Sequence, residues 1–115
     1  MSKFFEYKYI TMSTIYRYIC EENFSHSQAV GRCIVDFRSV LEEKDIRALA
    51  LYSTMLTQLV KNIDDLEILK SFTKDYLKLK LICDILPIDK LLNDEERDYL
   101  EDDLSFIDAK FKEFE

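Results

Sequence analysis

One glycine and one proline occur in 115 residues. An all-β sandwich or barrel needs both at many turns, so that class is excluded. Collagen-like repeats, flexible linkers and glycine-rich phosphate loops go with it. There is one histidine, His26, and no tryptophan. A single histidine excludes multi-histidine metal sites, helical His-Glu-x-x-His proteases and paired Glu-x-x-His di-iron sites. No run approaches the roughly 18 uninterrupted apolar residues of a membrane span.

Cysteine is scarce too. Cys20, Cys33 and Cys83 form an odd, widely spaced set. A disulfide-stapled secreted domain carries an even, denser set. Met1 is followed by no apolar segment with a cleavage pattern, so no secretory signal is visible. The expectation is a soluble, cytoplasmic protein. A surplus of positive charge is also lacking, since net charge is −7. Residues 1–86 carry 12 acids and 12 bases, whereas residues 87–115 carry 11 acids and 4 bases. Direct nucleic-acid binding and attachment to an anionic membrane are disfavoured, because both rest on cationic neutralisation of phosphate.

What is present is helical patterning. Hydrophobic residues make up 48% of the chain, enough for one core. No repeat, low-complexity tract or linker divides it, so 1–115 is expected to be a single compact domain. Phe5, Tyr7 and Tyr9 alternate with Glu6 and Lys8 in a strand-like period of two. A lone strand has no partner in a helical chain. Residues 4–11 are therefore expected to lead, as helix or extended chain, into a first helix over about 8–22. Its apolar side would carry Met12, Ile15, Tyr16 and Ile19.

Ser25 or Ser27 can cap a second helix reaching about Lys44, with Val30, Cys33, Ile34, Phe37, Val40 and Leu41 on one stripe. Gly31 inside it points to a closely approaching neighbour. Asp45 can cap a third helix ending near Asn62. Asp64 and Asp65 favour the start of a fourth, from Leu66 to about Ile85, which Pro87 terminates. A short turn is expected over 88–92. Asn93 with Glu96 has the spacing of a capping box, opening a last helix with Leu100, Leu104, Ile107, Phe111 and Phe114 inward. The expected fold is all-α, four to six amphipathic helices in an antiparallel, bundle-like domain.

Few residues are equipped for catalysis. Cys20, His26, Cys33 and Cys83 could in number form a Cys₃His zinc site, but their spacing is unlike known ligand spacings. Cys33 and Cys83 lie on apolar stripes, where a free cysteine acts as a small hydrophobe. A Cys20–His26 nucleophilic pair lacks an orienting third group and an oxyanion loop. Adjacent carboxylates such as Glu42/Glu43 and Asp102/Asp103 diverge by about 100° on a helix. No catalytic, cofactor-binding or metal residue is assigned, and no cofactor is expected.

Two surfaces stand out instead. Six aromatics crowd residues 4–18, namely Phe4, Phe5, Tyr7, Tyr9, Tyr16 and Tyr18, and one helix cannot bury rings on every side. Seven acids occupy residues 94–103: Asp94, Glu95, Glu96, Asp98, Glu101, Asp102 and Asp103. These faces nominate Tyr7, Tyr9, Asp94, Glu95, Asp98, Glu101 and Asp102 as partner-binding residues. A lysine stripe, Lys70, Lys74 and Lys78, offers the acidic helix an internal mate as the alternative to a partner.

The expected function is a non-enzymatic protein–protein interaction module, an adaptor, inhibitor or regulator, acting through the aromatic N-terminal surface, the acidic C-terminal helix or both. Its partner is another protein, with a homodimer expected as the way to bury surplus apolar surface. One alternative is an acidic mimic of nucleic acid that inhibits a DNA- or RNA-binding protein. Another is a small enzyme with a site assembled across helices around His26. Residues Ala29–Phe37 resemble, through Gly31, Arg32 and the apolar run after them, part of the signature of apoptosis-regulating helical bundles. The tryptophan of that signature is missing here, and one helix precedes the pair where that family has several, so no residue role is carried over.

Overall fold

The computed structural model describes residues 2–114. Ser2 opens the first helix by accepting the Phe5 N–H at 3.2 Å. Helix α1 then runs Lys3–Glu21, so the aromatic lead-in is helical and the expected start near residue 8 moves back to Lys3. No strand exists among the described residues to pair with the alternating rings. The buried positions Phe4, Thr11 and Ile15 follow helical spacing instead. Tyr16, expected inside, is 51% exposed because it sits about 100° round the helix from Ile15. Asn23, at φ 58°, turns the chain out of α1 in the left-handed region that asparagine tolerates.

Ser25 and Gln28 form a full capping box, each side chain accepting the other's backbone N–H. Helix α2 covers His26–Asp36, and a separate α3 covers Arg38–Glu42. The single helix expected up to Lys44 is thus broken. Phe37, at φ −100° and ψ 15°, leaves helical geometry and packs half-buried against the core. Leu41, beyond the turn, is buried. Gly31 is not a point of close approach, since a Cβ there would meet nothing within 4 Å.

Helix α4, Ile46–Asn62, is the centre of the molecule. Asp45 caps it, accepting the N–H groups of Arg47 at 2.9 Å and Ala48 at 3.3 Å. Its second oxygen takes the Arg47 guanidinium at 2.8 Å. Burial opposes the charge on Asp45, but these bonds outweigh it and hold the carboxyl below its ordinary range. Every residue from Ala48 to Thr57 is buried. A helix apolar on all sides belongs in the middle of a protein, and α1, α2, α3, α6 and α8 all pack on this one.

The expected fourth helix is also divided. Helix α5 spans Leu66–Lys70, capped by Asp65, and α6 spans Thr73–Ile85. Between them the N–H groups of Ser71 and Phe72 reach the carbonyls of Ile68 and Leu69, a tighter 3₁₀ pattern. The Ser71 hydroxyl donates to the Ile68 carbonyl as well. Leu86 and Pro87 end α6, and a short α7 follows over Ile88–Leu91. Asn93 and Glu96 make the expected capping box, and α8 runs Asp94–Phe111 before a 3₁₀ turn, Lys112–Phe114.

The result is an all-α, bundle-like fold measuring 38 × 34 × 23 Å. No helix of the described residues is long and apolar enough to cross a membrane. Helix α8 is tied to α6 by the Tyr76 hydroxyl and Lys80, which meet Asp108 at 2.8 and 3.3 Å. The lysine stripe does not mate with α8: Lys70 pairs with Glu67 and lies over the Phe114 ring.

Candidate functional site

Helices α1 and α8 lie across α4 and leave an open groove of about 640 Å³ between them. Helix α1 supplies Phe5, Lys8, Tyr9 and Met12, whose spacing puts them on one face. Helix α8 supplies Glu95, Tyr99, Asp102, Asp103 and Phe106, spaced four, seven, eight and eleven residues from the first. Thr54, Thr57 and Gln58 of α4 line its floor.

Two ties span the groove. Lys8 Nζ meets Asp103 Oδ2 at 2.8 Å, with both side chains largely buried. The Phe5 and Tyr99 rings meet edge to face, centroids 5.3 Å apart. Around the opening, Tyr9 is 63% exposed, Tyr99 47% and Phe106 56%. The Lys61 ammonium sits 5.1 Å from the Phe106 ring centre, a cation–π distance. Glu95 and Asp102 stand on the rim with no cation within ion-pairing distance among the described residues. Beneath the floor, the Thr54 and Thr57 hydroxyls are buried without a hydrogen-bond partner among the described residues.

Of the residues nominated from sequence, the fold brings Tyr9, Glu95 and Asp102 to this groove. Tyr7 lies elsewhere. Two residues from Tyr9 on a helix, it is rotated by about 200° and faces the Arg47 guanidinium at 5.9 Å. Asp94 bonds Arg97, which also holds Asp89 at 3.2 Å. Asp98 is exposed beside the rim, and Glu101 is exposed on the outer side of α8. Glu96 is consumed by the helix cap and Asp103 by Lys8. Sequence reasoning missed Thr54, Thr57, Tyr99, Phe106 and the Lys8–Asp103 pair. The two threonines did carry a signal, an i, i+3 pair of short hydroxyls inside an apolar helix.

His26 opens α2 and does not line the groove. Burial, followed by the charge of Asp36, pushes the Cys33 thiol up to about 12, so it stays protonated. Burial raises Cys83 likewise. No cluster of three or more His, Cys, Asp or Glu among the described residues suits a metal ion. No family model, curated protein or solved structure matches the chain. A functional reading therefore rests on the chemistry of the groove.

Proposed function

We propose that the chain is a non-catalytic docking module whose α1–α4–α8 groove takes an amphipathic, basic helix of a partner protein. One observation carries the reading: three exposed aromatics and two unpaired carboxylates surround one groove. Aromatic anchors supply most of the energy at protein interfaces, and the rim charges select the partner. From Glu95 to Phe106, α8 extends about 16 Å, or three turns of a bound helix. An added strand has no sheet edge to join among the described residues. The partner's apolar side would meet Tyr9, Tyr99 and Phe106, and its lysines or arginines would reach Glu95 and Asp102.

The acidic helix supports this reading over mimicry of nucleic acid. A mimic needs many uncompensated charges along its surface, and Asp94, Glu96 and Asp103 are already engaged within the protein. With Cys20, Cys33 and Cys83 all free, the reading places the module in the cytoplasm.

A fluorescent leucine–lysine amphipathic peptide tests the proposal by anisotropy. Tyr99→Ala and Phe106→Ala are each expected to weaken binding about ten-fold or more. Glu95→Gln with Asp102→Asn should weaken it mainly at low salt. Tyr7→Ala, on the other flank of α1, should change nothing. Equal binding of a leucine–glutamate peptide, or equal losses at Tyr7 and Tyr99, would sink the proposal.

A further inference from the structure

A second cavity lies on another side of the molecule, between α2, α3, α4 and α6, with a volume of about 600 Å³. Its walls are apolar, formed by Ile34, Leu41, Leu81 and Ile82. Its charge is not what an acidic protein predicts. Arg38, Lys44 and Lys78 all line it, against a single carboxylate, Glu42. None of these cations has an ion-pair partner among the described residues. Lys44 stands at φ 52°, a left-handed conformation unusual for lysine, at the mouth between α3 and α4.

Tyr52 of α4 supplies an independent observation. Its side chain lines the cavity and is 2% exposed, yet its hydroxyl makes no hydrogen bond with the described residues. Burial, then the nearby charge of Asp75, pushes the phenol up to about 12. It remains a neutral O–H at neutral pH, and it is not among the buried, unpartnered polar atoms, so the oxygen of this otherwise buried side chain is reachable from the cavity.

We propose that this cavity binds a small organic carboxylate with an apolar body, the head held by Arg38, Lys44 and Lys78 and by the Tyr52 hydroxyl. Arginine matches a carboxylate in two-point geometry, and charge-assisted bonds are the strong ones. The apolar body covers Leu41, Leu81 and Ile82. The volume lies within the range of small-molecule sites. The site is separate from the α1–α8 groove and shares no lining residue with it.

Calorimetric titration of the full chain with dodecanoate, below its micellar concentration, is expected to show one saturable site. Dodecanol keeps the tail without the charge, and inorganic phosphate keeps charge without the tail. Each should bind at least about ten-fold more weakly. Arg38→Gln with Lys78→Gln should weaken dodecanoate by about ten-fold or more, and Tyr52→Phe should weaken it while far-UV circular dichroism stays unchanged. Lys44→Gln, at an exposed position, keeps the test open where another substitution unfolds the chain. Dodecanol binding as tightly as dodecanoate would overturn the assignment. So would loss of binding on Tyr99→Ala instead of on the cavity substitutions. Binding confined to phosphatidylglycerol vesicles would overturn it too, by moving the anion from the cavity to a bilayer surface.

Discussion

At Gly31 an added methyl group would meet no atom within 4 Å, and the backbone there is ordinary right-handed helix. Glycine in such a place only widens the unfolded ensemble. Gly31→Ala is expected to stabilise the fold by about 0.5–1 kcal/mol, read as a higher urea midpoint at unchanged slope. A loss of stability would mean that α2 packs there more tightly than its open flank shows. Single residues were also where the sequence was clearest and most misleading. The Asn93/Glu96 box was legible because its two hydrogen bonds lie within one turn. The Phe5, Tyr7, Tyr9 alternation suggested a strand, but Phe4, Thr11 and Ile15 decide the face that is buried. Tyr7 and Tyr9 then part to opposite flanks of one helix, which separates a nominated pair.

Helices were legible as a class, and their interruptions were not. The apolar spacing of Cys33, Phe37 and Leu41 continues across the α2–α3 turn, as does that of Leu69, Phe72 and Tyr76 across the α5–α6 turn. Periodicity alone cannot see either break. At Ser71 the deciding contact is a hydroxyl reaching a carbonyl of the previous turn, a local competitor to regular helix. Helix α4 shows the opposite case, burial on all sides from Ala48 to Thr57, permitted by small residues among the leucines. Thr54 and Thr57 are the exceptions within it, two buried hydroxyls with no partner among the described residues. Replacement of each by valine, close in shape, should stabilise the chain by about 1 kcal/mol. The paired variant should unfold at higher temperature and bind the leucine–lysine peptide unchanged, because the hydroxyls lie out of its reach. Stability that falls would show the hydroxyls already satisfied inside the helix.

The whole molecule holds what neither residues nor helices announce. Tyr9, Glu95 and Asp102 were readable one at a time, but the groove they share needs α1 and α8 laid side by side on α4. That information is not local: Lys8 and Asp103, the pair that joins the two helices, are 95 residues apart in the chain. Their side chains retain 21% and 12% exposure, so the pair is mostly dry and weakly screened by salt. Removing one partner leaves a charge uncompensated, whereas replacing both with apolar residues of similar size removes the desolvation cost together with the attraction. Asp103→Asn is therefore expected to destabilise the fold by about 1–3 kcal/mol in urea titration. Lys8→Met with Asp103→Leu should recover most of that loss. Raising salt from low to high should narrow the gap between wild type and Asp103→Asn only slightly, while it strips peptide affinity from the exposed rim of Glu95 and Asp102. An additive double variant, or a gap that salt closes, would place the pair at the surface and leave the edge-to-face contact of Phe5 and Tyr99 as the tie between first and last helix.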